Sequence, residues 1–119
     1  MKAAMVDRTL VALADATRRG VVELLRDGPL RAGELSSALQ VNKSTLTRHL
    51  RVLRESALVQ EDAVQEDGRV RIYRLQREAF RDLRGWLDEV ERCWELQLES
   101  FKQHAERSRP RGGTRRVRS

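Results

Sequence analysis

One cysteine, Cys93, stands in the 119 residues, and that scarcity excludes an internal disulfide framework and any zinc knuckle built on paired cysteines. A lone thiol fits a reducing cytoplasm. Long apolar runs are missing too: Leu10 to Ala14, bounded by Arg8 and Asp15, is far too short for the core of a signal peptide or a membrane span. The expectation is a soluble, unexported, cytoplasmic protein with no membrane partner. There is no glycine-rich phosphate loop, no pair of carboxylates set for acid–base work and no Ser-His constellation, which speaks against an enzyme and against a bound cofactor. Acid is absent from the last stretch, where Arg107, Arg109, Arg111, Arg115, Arg116 and Arg118 gather.

Those six arginines account for the whole formal net charge of +6, so the preceding body has as many acids as bases. A high isoelectric point alone therefore does not make the body a binder of polyanions; the placement of charge must decide. From Asn42 to Arg54 stand Lys43, Arg48, Arg51 and Arg54 with no acid, and from Gly68 to Arg77 stand Arg69, Arg71, Arg74 and Arg77, again with none. Acids collect at Glu61, Asp62, Glu66 and Asp67 and between Glu78 and Glu106. The body is neutral but polarised. At this length it forms one ordinary domain with a real core.

Helical periodicity dominates the first half. Val6, Leu10 and Leu13 recur at helical spacing, and Asp15 is placed to cap a second helix carrying Val21, Val22, Leu24 and Leu25, which Gly28-Pro29 ends. A short helix is expected over Ala32 to Leu39 with Leu35, Ala38 and Leu39 inward. After a turn at Gln40 and Val41, Asn42 caps a helix over Lys43 to Glu55 whose Leu46, Leu50 and Leu53 share one face. The period then changes. Leu58 to Gln65 and Arg69 to Leu75 read as strands joined at Asp67-Gly68, a strong hairpin signal. One long helix follows from Arg77 to Glu106, with Phe80, Leu83, Leu87, Val90, Trp94 and Phe101 at alternating spacings of three and four, broken only by Gln97. Four of the five aromatic residues lie on this helix. So small a body cannot bury them all, and a second copy of the chain is the expected cover. Gly85 is read as a close backbone approach beside Trp86, and Cys93 as either a small apolar residue at the interface or a thiol switch. His104 reads as solvated.

The fold expected is mainly α with a small β-hairpin, a winged helix-turn-helix over 1–76. Residues 77–106 form a C-terminal dimerisation helix, and 107–119 a disordered basic tail. In such a fold the second helix of the motif enters the major groove of double-stranded DNA. Opposite its leucine stripe lie Ser44, Thr47, Arg48 and Arg51, beside Lys43. Arg48 suits a guanine edge, the short Ser44 and Thr47 let the helix sink in, and Lys43 stands where a helix end meets phosphate. The arginine-rich tail is either a phosphate-binding arm or a solubilising end.

The stretches LADATRRGVVELL, VNKSTLTRHLRVLRESALV and GRVRIYRL resemble the ArsR family of bacterial winged-helix transcriptional repressors, over Leu10 to Leu75. The resemblance implies a homodimer that binds a palindromic operator, blocks transcription and is released by a signal, here an unknown effector. It places DNA contacts at Lys43, Ser44, Thr47, Arg48 and His49, with the wing contact at Arg69 or Arg71; from its sequence neighbours alone, His49 reads as a packing and hydrogen-bonding residue near the DNA, not as a base or a ligand. Ala57 departs from the glycine usual in the family between recognition helix and wing. Metal-sensing members carry a Cys-x-Cys pair on the helix before the recognition helix, or Asp, His and Glu ligands on the terminal helices. Here Ala32 to Leu39 has neither Cys nor His, and the terminal helix offers only His104 with distant acids such as Asp88, so no metal site is expected. The alternative function is a winged-helix module that docks another protein through its hairpin or its tryptophan-bearing helix.

Overall fold

Two side-chain caps and two left-handed residues set where the central helices start and stop. The computed structural model describes residues 2–64 and 70–108 and orders them as α1 (Lys2–Ala12), α2 (Ala16–Leu25), β1 (Leu30–Arg31), α3 (Ala32–Leu39), α4 (Lys43–Glu55), β2 (Val59–Ala63), β3 (Arg71–Leu75) and α5 (Arg77–Ser108). The Asp15 carboxylate accepts the N–H of Arg18 at the start of α2, and the Asn42 side chain accepts that of Thr45 at the start of α4. Gln40 (φ 58°) ends α3 and Ala57 (φ 61°) follows α4, both in the left-handed region. After α4 the N–H of Leu58 donates to the Leu53 carbonyl (2.9 Å) and that of Ala57 to the Arg54 carbonyl (3.0 Å), the paired bonds of a Schellman stop. The helix thus ends as sharply on alanine as it would on glycine, with the steric cost of a Cβ at positive φ.

The hairpin is shorter than expected and is joined by a third strand. All pairs are antiparallel in the order β1-β3-β2, with Leu30 opposite Tyr73, and Val59 and Glu61 opposite Leu75 and Tyr73. The expected turn at Asp67-Gly68 lies outside the described residues. α5 also takes in Arg107 and Ser108, which were expected in the tail; residues 109–119 lie outside the description.

Val21, Leu25, Leu35, Leu46, Leu50 and Leu53 meet Leu58, Val59, Tyr73 and Ala79 in one buried cluster. Each buried leucine contributes about 1.5–3 kcal/mol relative to exposure. Three inward expectations fail. Leu10 is 43% exposed, while Thr9 is fully buried in its place with its hydroxyl donating to the Met5 carbonyl (2.9 Å), so the buried polar group is satisfied within the helix. Ala38 is exposed. At Gly85 a Cβ would meet no atom within 4 Å, whereas at Gly20 it would stand 2.7 Å from Leu39 Cδ2, so the close helix approach belongs to α2 and α3.

By internal packing the chain divides after Trp86. The first unit contains the core, including Ala79, with Phe80 packed against it. In the second, every described side chain from Leu87 to Arg107 is exposed.

Replacing Ala57 with glycine removes the left-handed penalty and keeps both terminal hydrogen bonds. Ala57→Gly is expected to raise the unfolding free energy by about 0.5–1 kcal/mol after the extra entropy of an unfolded glycine is discounted. Urea denaturation measures it, and an unchanged or lower midpoint would show that the alanine is unstrained.

Candidate nucleic-acid interface

Burial of Leu46, Leu50 and Leu53 on one side of α4 leaves Ser44, Thr47, Arg48 and Arg51 exposed on the other, at positions i, i+3, i+4 and i+7. Lys43 is exposed at the helix start, where the unpaired N–H groups and the helix dipole favour phosphate. Lys43, Arg48 and Arg51 make no ion pair with a described residue. Ser44 also supports the cap, its hydroxyl donating to Asn42 Oδ1 at 3.0 Å. From Lys43 to Arg51 one face of α4 thus presents cations and short hydroxyl side chains, with exposed Glu55 the single acid on that face, in the last turn.

His49 does not join that face. Its side chain is 18% exposed and turns toward α2, with Nδ1 3.2 Å from Arg18 Nη1 and Nε2 3.9 Å from Asp15 Oδ1. A guanidinium can only donate, so Nδ1 accepts and a neutral His49 carries its proton on Nε2, toward the carboxylate. Arg18 in turn donates through Nε to the Ala12 carbonyl (2.6 Å) and through Nη2 to the Val11 carbonyl (3.3 Å). His49 thus stands apart from the exposed set with which the family resemblance groups it. The residue ties α4 to the end of α1 and the start of α2. The N–H bond from Arg18 holds the Asp15 carboxyl below its usual pKa against the opposing effect of burial.

In the wing, Arg69 lies outside the described residues. Arg71 stands half exposed on β3, its Nε 3.5 Å from Glu61 Oε2. Glu61 is a residue that sequence reasoning missed. It accepts from Arg54 in the last turn of α4 (2.6 Å) and from the hydroxyl of the largely buried Tyr73 (3.1 Å), so one carboxylate ties the recognition helix to both wing strands. Burial, then the charge of Glu61 and the bond to it, push the Tyr73 hydroxyl above its ordinary pKa. Beside them Arg74 donates to Asp62 at 2.8 Å and lowers that carboxyl's pKa. The signal available in the sequence was alternation on β2, which sets Glu61 on the face of Tyr73.

Of the proposed seam on α5, Phe80 packs on the core and Leu83 is half-buried, whereas Leu87, Val90, Trp94 and Phe101 are exposed, with Trp86 and Leu98 beside them. Cys93, expected against an interface, is exposed in the single chain. Among the described residues no three His, Cys, Asp or Glu side chains come together as metal ligands, and no helix is long and apolar enough to cross a membrane.

Comparison with known proteins matches residues 15–61, from the cap of α2 into β2, to the bacterial regulatory protein, arsR family. Over 97 residues the chain is 39% identical to the HTH-type transcriptional regulator Rv2034 of Mycobacterium tuberculosis, covering 82% of this chain and 85% of that one. The chain belongs to the ArsR family. This ArsR-family regulator is also 25% identical over 76 residues to the transcriptional repressor SdpR of Bacillus subtilis, covering 64% of this chain and 81% of that one. A solved relative, the homodimeric winged helix-turn-helix DNA-binding domain of Mb0332 from Mycobacterium bovis, superposes with a TM-score of 0.55 at 25% identity, over 82% of this chain and 84% of that one. The chain is thus a transcriptional regulator of the ArsR family with a winged-helix DNA-binding domain.

The Asp15 cap gives a pH-dependent prediction. Asp15→Ala is expected to cost about 1 kcal/mol at neutral pH. Because the carboxyl's pKa is lower folded than unfolded, its contribution is present above the unfolded value near 4 and disappears as pH falls through the folded value. Thermal unfolding of both proteins from pH 7 to pH 2 should therefore converge at the acid end; a constant gap would assign the loss to packing.

Proposed function

We propose that this regulator is a homodimeric repressor that reads a palindromic operator. In this reading residues 1–76 bind DNA, 77–106 pair two copies, and 107–119 are a basic tail. The exposed face of α4 from Lys43 to Arg51, which holds no acid and lies opposite the buried leucine stripe, carries the proposal. Arg48 takes a base edge, Ser44 and Thr47 line the groove floor, and Lys43 and Arg51 hold phosphates. Arg71, with Arg69, supplies the wing contact. The exposed apolar residues of α5 from Leu87 to Phe101 support pairing, as does the homodimeric state of the Mycobacterium bovis domain. Repression is supported by the name of the Bacillus subtilis relative. Release by a chelated soft metal is disfavoured because α3 has neither Cys nor His.

Arg48→Ala is expected to weaken operator binding by about 1–3 kcal/mol and to relax preference at one position in each half-site, with half-sites about one helical turn or a multiple apart. Selection from random duplexes followed by fluorescence anisotropy reads both effects. Equal loss on every sequence would make Arg48 a phosphate contact.

Charging the seam separates pairing from reading. The double variant Leu87→Asp, Val90→Asp is expected to sediment as a monomer and to lose operator affinity while its core stays folded. A variant that remains dimeric places the interface elsewhere.

A further inference from the structure

Five arginines line an open cleft in the first unit, four of them on the end of α2 and on α5, apart from the proposed DNA contacts. The cleft has a volume of about 660 Å³, in the size range of small-molecule sites, and an apolar floor of Leu25, Leu75 and Phe80. Arg26 approaches from the end of α2, and Arg77, Arg81 and Arg84 from one face of α5 at i, i+4 and i+7. Like charges at that spacing repel. None of the four makes an ion pair with a described residue; Asp27 alone brings acid to this cleft, and Glu78 lines the adjoining one. Arg74, on the wing strand β3, also lines the cleft and is held by Asp62 at 2.8 Å.

We propose that this cleft binds an organic anion with a carboxylate head and an apolar tail, and that it is the effector site of the regulator. The second half of the proposal rests on the function proposed above. Guanidinium groups match a carboxylate in geometry as well as charge, and the tail of such a ligand covers the leucine and phenylalanine floor. The bound head neutralises the arginine row and competes with Asp62 for Arg74. An occupant therefore acts on a strand of the wing and on the base of α5 together.

The test uses the full chain and octanoate, with octanol as the uncharged tail and inorganic phosphate as an anion without one. Calorimetry without DNA is expected to show octanoate binding roughly tenfold or more tighter than either control. In the double variant Arg77→Gln, Arg81→Gln, whose folding is checked by thermal unfolding, octanoate should fall to the level of octanol while octanol is unchanged. Equal binding of octanoate and octanol overturns the site, as does equal octanoate binding by variant and parent, which would place the tail on the exposed stripe of α5. Saturating octanoate should lower duplex affinity in the parent and not in the variant; unchanged duplex affinity overturns the effector role. Failure to bind any duplex, with or without octanoate, overturns the regulator reading instead and is distinguishable because the calorimetry contains no DNA.

Discussion

The burial of Leu46, Leu50 and Leu53 against Val21, Leu35 and Leu58 is the constraint from which the rest of the structure follows. A helix has one direction in which to hide an apolar stripe, and hiding it fixes the rotation of α4 about its axis. Every side chain on the opposite face then points to solvent as a rigid set. The exposed face is thus specified by residues on the opposite, buried side of the helix.

Rotation alone does not fix the tilt of α4 or its relation to the wing. Two small polar clusters supply that. At one end Arg18 spans the last carbonyls of α1 and His49, and at the other Glu61 joins Arg54 to Tyr73 and Arg71. Exposed ion pairs contribute little to stability, but a carboxylate that accepts from a largely buried hydroxyl is more costly to lose. Both clusters are therefore better understood as setting geometry than as supplying the bulk of the folding energy.

The bounds of α3 and α4 were legible because their signals are local. Asn42 caps its own helix, and the leucine period needs no knowledge of partners. Local signals also placed Asp15 and the two wing strands. β1 was not legible, since two residues become a strand only by pairing with β3, some forty positions later. Thr9 was missed because its hydroxyl bonds within its own helix and so behaves as apolar; His49 was legible as a packing and hydrogen-bonding residue, but not its partners, Asp15 and Arg18, which are distant in sequence. Reading Gly85 as a close approach treated a glycine as evidence of a neighbour, which Gly20 has and Gly85 lacks. Ala57 shows the converse: a left-handed position held without glycine because the Leu53–Leu58 contact and two hydrogen bonds over-determine it.

Among the described side chains of α5 beyond Trp86 none is buried, and most helical stability in proteins comes from packing of an apolar face. Its helicity in a solitary chain rests on backbone bonds and surface pairs, with a glycine at position 85 as the weak point where unwinding from the C-terminal end would halt against the packed first turns. In the pairing proposed above, assembly of two copies is then also an act of folding. Such assembly has the thermodynamic signature of coupled ordering, with a large negative heat-capacity change, and its affinity is diminished by the entropy of the residues it must first arrange. In that pairing the backbone amides of residues 87–108 should owe their protection from solvent exchange to protein concentration, while those of the leucine core do not.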